Sequence, residues 1–316
     1  MISRRILRIK ILQLLYAYYK SPDASIDKAE KELFHSINKT YELYHYLLLL
    51  ILDIADYAAG RIEIARQKNY PSWEDLHPNT KFIDNKVIQQ LRVNNDFNSY
   101  LKNNRISWVN YPELIKKIYL KFRNSERYKE YMKKPGRQFE DDKEILLFIY
   151  ESCIATTEDL YHYLEEQSIY WNDEIEFVIS IILKTFKGFK ENDKENIRLF
   201  RLYKNDDDVD FVKRLFRKAI LNKNEYLELI QKFTQHWEIE RIAFMDILIL
   251  QLAITEVVEF ASIPTKVSFN EYLEIAKYYS TNKSSVFING VLDKIIRYLK
   301  ENNKITKLGR GLVGEN

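Results

Sequence analysis

Across 316 residues the chain has only seven glycines and six prolines, and three of the glycines fall in its last eight positions. Breakers this rare restrict the backbone to long helices joined by short polar connections. Apolar residues recur at helical spacing almost throughout, and no convincing alternating strand is visible. The expected fold class is all-α. With 46% hydrophobic and 30% charged residues, the chain has enough material for one large domain or two modest ones.

The same inventory excludes several classes. A single cysteine, Cys153, permits neither an internal disulfide nor a Cys-rich zinc site. The longest apolar run, Tyr46 to Leu52, stops at Asp53 and is far shorter than the ~20 residues that span a bilayer. The start, Met-Ile-Ser-Arg-Arg, has no apolar signal core, so a cytoplasmic protein without a membrane segment is expected. Gly309-Arg310-Gly311-Leu312-Val313-Gly314 is formally a dinucleotide fingerprint, but it lacks the strand before and the helix after that would hold a pyrophosphate. No phosphate loop, zinc-protease motif or nucleophile elbow occurs, and the five histidines show no i,i+4 pair. His45 and His162 read as helix-face residues. Neither catalysis nor a metal or cofactor is expected.

Periodicity places a first helix over about Arg4–Tyr19 and a second from about Ser25 to Ile54. Residues 143–190 read as two more helices, and Asp206–Asp208 suit a helix start, where carboxylates meet the positive end of the dipole. Ser268 and Glu271 have capping-box spacing, and Ser284 or Ser285 can cap a last helix ending near Leu299. Leu43–Leu47 and Leu160–Leu164 share the string Leu-Tyr-His-Tyr-Leu, an echo that carries no functional weight.

Net charge is +3 but unevenly spread: residues 61–140 hold 17 Lys/Arg against 9 Asp/Glu, whereas 141–210 hold 8 against 18. Arg4, Arg5, Arg8, Lys10 and Lys20 fall in the first twenty residues without an acid. On a helical wheel Leu7, Ile11, Leu14 and Tyr18 share the core arc, while Arg5, Arg8, Leu12, Tyr16 and Tyr19 share a neighbouring one. Arginine beside tyrosine suits single-stranded RNA, because guanidinium groups pair with phosphates and tyrosine rings stack on unpaired bases. A basic, half-buried helix with no ligand fits the same residues.

The last third adds Trp237-x-x-x-Arg241, Asp246-x-x-Ile249-Leu250-x-Leu252-Ala253-x-x-Glu256, Pro264-x-x-Val267-x-x-Asn270-Glu271, and Ser284-x-x-Phe287-Ile288-Asn289-Gly290-Val291-Leu292-Asp293. In order and spacing this resembles the NusB family, as does Arg4-Arg5-x-x-Arg8 with Gln13-x-Leu15-Tyr16 at the start. Trp237, Leu250 and Leu292 read as core, and Gly290 as a point of close helix packing.

The resemblance implies a NusB-like helical bundle enlarged by a helical insertion. Residues 1–35 would form its arginine-rich start and 206–300 its C-terminal core. Residues 36–205 would be the insertion, of unassigned role, and 301–316 a flexible tail. It further implies binding of boxA-type nascent RNA with the small-subunit ribosomal protein called NusE in this role, within the RNA polymerase antitermination complex, chiefly in ribosomal RNA operons. By motif position Arg4, Arg5, Arg8, Tyr16, Lys283, Ser284 and Phe287 would touch RNA. Glu240 and Asp246 would face the basic partner. One departure is Gln251, where the family usually has arginine, which removes a charge near that surface. Two other readings are a non-catalytic helical scaffold, and the NusB-like part of a ribosomal RNA methyltransferase. The second would need an added α/β domain and a nucleophilic cysteine, whereas Cys153 lies in a helical run.

Overall fold

The computed structural model describes residues 2–23, 25–234, 242–281 and 284–314, the side chains of 194–196 excepted. Among the described residues it contains fifteen α-helices and no strand. They are α1 Arg4–Lys20, α2 Ile26–Arg66, α3 Trp73–Leu76, α4 Lys86–Arg92, α5 Asn95–Asn104, α6 Pro112–Arg123, α7 Glu126–Lys133 and α8 Phe139–Phe148. The series continues with α9 Glu158–Gln167, α10 Ile175–Gly188, α11 Asp206–Leu221, α12 Lys223–Phe233, α13 Phe244–Glu259, α14 Thr265–Tyr279 and α15 Ser284–Glu301. None of them is long and apolar enough to cross a membrane. Two compact units result: Met1–Ile37 with Arg201–Asn316, and Asn38–Phe200. α2 is one 41-residue helix whose residues up to Ile37 count with the first unit, running well past the end expected near Ile54.

In the first unit α13 is the central element. Every side chain from Leu248 to Val257 is buried, as befits a helix apolar on nearly all sides. α1, α11, α14 and α15 pack around it. α1 starts at Ser3, whose hydroxyl accepts from the Ile6 amide, and buries Leu7, Ile11, Leu12 and Leu15. α11 starts on Asp206, Asp207 and Asp208, which places three carboxylates in its first turn.

Four expectations are corrected here. α14 begins at Thr265 after Pro264, so Ser268 is an interior, fully buried residue and forms no capping box with Glu271. A Cβ built on Gly290 would meet nothing within 4 Å, so no packing neighbour requires that glycine. Gln251, expected near a partner surface, is 1% exposed and donates to the Tyr19 hydroxyl (2.8 Å) and the Ala219 carbonyl (2.6 Å). Nor are residues 304–314 a loose tail. Lys307 donates to the carbonyls of Val257 (2.9 Å) and Phe260 (3.0 Å), a cation satisfying orphan groups at the C-terminal end of α13. The Leu308 amide bonds Ala261 O (2.9 Å), and a Cβ on Gly311 would lie 1.9 Å from that same oxygen, so only glycine fits.

The second unit is rich in aromatic contacts. The Trp108 indole stacks on Tyr46 at 3.9 Å and donates to that residue's carbonyl at 2.8 Å. Asn85 caps α4 by accepting from Val87 and Ile88, while its amide donates to the carbonyl of Asp142. Residues 143–190 form more than two helices, because a π-helical turn, Ile149–Ile154, follows α8 and separates it from α9 and α10. Cys153 lies in that turn, 2% exposed, and burial pushes its thiol up to about 11. That is the opposite of what a nucleophile needs.

His45 and His162 part company. His162 is exposed, whereas His45 is 1% exposed, stacked at 3.7 Å on Tyr100, with Nδ1 2.8 Å from the Tyr41 carbonyl. Burial, only partly offset by that carbonyl, lowers its pKa to about 4. The unfolded chain therefore takes up the proton first. Stability from neutral His45 is complete above about pH 6.5 and is lost as pH falls through about 4, an effect of about 3 kcal/mol. Asp53, raised to about 6 by burial and by Asp56, acts with the opposite sign, so the comparison must be between variants. Denaturant unfolding at pH 7 and pH 4.5 should show His45→Phe losing less stability on acidification than wild type. Parallel profiles would refute the assignment.

Candidate nucleic-acid interface

The N-terminal end of α1 is a ladder of arginines, each held by a carboxylate from another helix of the same unit. Arg4 Nε donates to Asp208 at 3.1 Å, with its guanidinium 5.0 Å from the Phe211 ring. Arg5 makes a bidentate pair with Glu271 of α14 at 2.8 and 2.7 Å. Those bonds hold the Glu271 carboxyl below its ordinary range despite some burial. The side chains of Arg4 and Arg5 remain 38% and 46% exposed.

Arg8 has a different place. It is 3% exposed and grips Glu256 of α13, itself fully buried, at 2.7 and 2.6 Å. Glu256 also accepts from Ser268 Oγ (2.7 Å) and Tyr272 OH (3.0 Å), so its oxygens take four hydrogen bonds. Burial by itself would lower the Arg8 pKa, but the charge and hydrogen bonds of Glu256 overcome it and raise the value above the ordinary one. Arg8 was expected on the RNA surface. The structure puts it in the core, because the buried carboxylate requires a bidentate cation.

The other end of α1 carries rings and cations. Tyr16 is 39% exposed and lies 5.5 Å from Phe244 at the start of α13. Lys20 Nζ sits 4.5 Å from the Phe244 ring and 5.8 Å from that of Tyr16, and Lys223 Nζ lies 4.4 Å from Tyr19. Lys20 was visible as one of the basic residues at the start of the chain. Phe244 and Lys223 had no signal, since only folding brings them to α1. Arg5 and Tyr16 are eleven positions apart on one azimuth, about three turns and ~16 Å along the helix.

Ser284 and Asp246 depart from expectation. Ser284 is buried and shares hydrogen bonds with Ser280 (3.0 Å) and Thr281 (2.8 Å). Asp246, also buried, accepts from the Ser280 hydroxyl. Together they tie the end of α14 to the starts of α13 and α15, a structural use of both groups. Phe287 is half-buried. Glu240, Lys283, Trp237 and Arg241 lie outside the described residues. Among the described residues no group of His, Cys, Asp and Glu is arranged to hold a metal ion.

A sequence model of the NusB family matches residues 176–297. Among curated proteins, the transcription antitermination protein NusB of Salinibacter ruber is 45% identical over 105 residues, 33% of this chain and 66% of that protein. The protein of the same name from Chloroherpeton thalassium is 40% identical over 104 residues, 33% of this chain and 49% of its own. That of Clostridium botulinum is 43% identical over 107 residues, 34% of this chain and 71% of its own. The match thus spans just under two thirds of the first of these relatives and about half of the second. No solved structure matches the chain.

Proposed function

The chain belongs to the NusB family, and from that premise we propose that it is an RNA-binding transcription antitermination factor. It binds boxA-type single-stranded RNA together with the NusE ribosomal protein, within the RNA polymerase antitermination complex of ribosomal RNA operons, in the cytoplasm. The observation that carries this reading is the strip on α1 that presents Arg5 and Tyr16 to solvent three turns apart, with Lys20 and Phe244 beside the tyrosine. A phosphate and an unpaired base are the ligands those groups suit. Arg4, Lys283 and Phe287 complete the proposed RNA face, and Glu240 is assigned to the basic protein partner. No catalytic step is proposed.

One observation favours a second reading. Arg4, Arg5 and Arg8 all hold carboxylates already, as the arginines of a helical scaffold would. Fluorescence anisotropy at fixed, near-physiological salt separates the two, using a labelled boxA-type RNA and a scrambled control, with and without the ribosomal protein. The proposal expects boxA-selective binding, tightened by the partner and weakened roughly ten- to hundredfold in Arg5→Ala/Tyr16→Ala. A stacked base is worth about 1–3 kcal/mol, and a lost phosphate contact adds to that. A scaffold would show no preference for boxA in either condition.

A further inference from the structure

The anchored C-terminal segment delivers a cation to the arginine end of α1. Arg4, Arg5, Arg8, Pro264, Val267 and Glu271 line an open groove of about 750 Å³, and Arg310, from the segment after α15, lines it with them. Four arginines thus face one glutamate, Glu271, across a partly apolar floor. The other three are paired, but the exposed Arg310 guanidinium has no ion-pair partner among the described residues.

Its position is built. Lys307 is pinned to the end of α13, the Leu308 amide to Ala261, and Gly311 sits where a side chain would strike the Ala261 carbonyl. A short 3₁₀ turn, Gly309–Leu312, fixes the backbone between these anchors. An arginine left without an ion-pair partner on so constrained a segment, in a groove lined by three more arginines, makes a locally positive cleft suited to an anion. The apolar floor suits a ligand with an uncharged face beside its charge.

We propose that this groove seats the backbone of single-stranded RNA, with Arg310 as a phosphate contact lying beyond the family-matched residues 176–297. The inference rests on the RNA-binding reading above and extends its surface from α1 to the C-terminal segment. A phosphate contact positions RNA without reading sequence, so Arg310 acts on all RNAs alike.

The test uses the full chain and the same two RNAs, titrated over a salt series. Arg310→Ala should weaken binding to boxA-type and scrambled RNA alike, by roughly three- to tenfold, and reduce the salt slope by about 0.7. Arg310→Lys should restore most of the slope, and thermal unfolding should be unchanged in both. Gly311→Val, which forces the segment off Ala261 with Arg310 intact, should reproduce the loss. If wild type prefers boxA but Arg310→Ala keeps both affinity and slope, the groove assignment is overturned and the antitermination reading stands. If wild type shows no preference yet Arg310→Ala still lowers the slope, the groove stands and the boxA reading falls. If wild type binds neither RNA, both fall.

Discussion

Arg8→Ala is expected to lower the stability of the first unit by about 3–5 kcal/mol, the usual effect of stripping one partner from a buried ion pair. The reason is Glu256. Its carboxylate is fully buried, and without Arg8 it keeps only the hydroxyls of Ser268 and Tyr272. Glu256→Gln should also be damaging, though less so, since it leaves a guanidinium that is 3% exposed with only the carboxylate of Glu271, 3.7 Å away. Replacing both, as Arg8→Met/Glu256→Leu, removes the two desolvated charges together and should recover much of the loss. Amide hydrogen exchange in peptides from Phe244–Glu259 reads the effect locally, which avoids assuming that the whole chain unfolds in one step. Protection in the single variants should fall by roughly two to three orders of magnitude, at about 1.4 kcal/mol per tenfold. Wild-type protection in Arg8→Ala would mean the pair contributes little. An RNA defect in an Arg8 variant therefore reports on folding, and Arg5 is the diagnostic arginine.

Trp108→Ala should have a comparable effect in the second unit, again about 3–5 kcal/mol, because it empties the space of the largest fully buried side chain among the described residues. The indole does two jobs there. It stacks on Tyr46 almost parallel, at 6°, and its N–H bonds the Tyr46 carbonyl of α2. Trp108→Phe keeps part of the stack and loses that bond, worth about 1 kcal/mol, so it should fall between wild type and alanine. Exchange in peptides from residues 38–66 is the readout. Equal protection in Trp108→Phe and Trp108→Ala would show that the hydrogen bond outweighs the ring. Unchanged protection in both would show that Trp108 does not hold the unit.

Much of this protein was legible beforehand. Scarce breakers and helical spacing predict an all-helical chain, and the spaced signature from Asp246 to Asp293 identifies the NusB family. Leu250 and Leu292 are core, and Asp206 opens a helix where three carboxylates favour it. Each of these depends on local pattern, which a sequence carries directly. The site residues do not. Arg5 and Arg8 share a wheel arc, yet one faces solvent and the other a buried carboxylate 248 positions away. Ser268 has capping spacing, but helix α14 starts earlier and turns it toward Glu256. Gly311 looked like part of a spurious nucleotide motif and is a point of close backbone approach that aims Arg310.

Helix content, core positions and family thus follow from the sequence by itself, because periodicity and spacing are properties of neighbours along the chain. Which of the α1 arginines is buried, which stays exposed and what each one pairs with was decided only by the tertiary structure, because a charge is governed by the groups folding brings against it, and for Arg4, Arg5 and Arg8 those lie 204, 266 and 248 positions away.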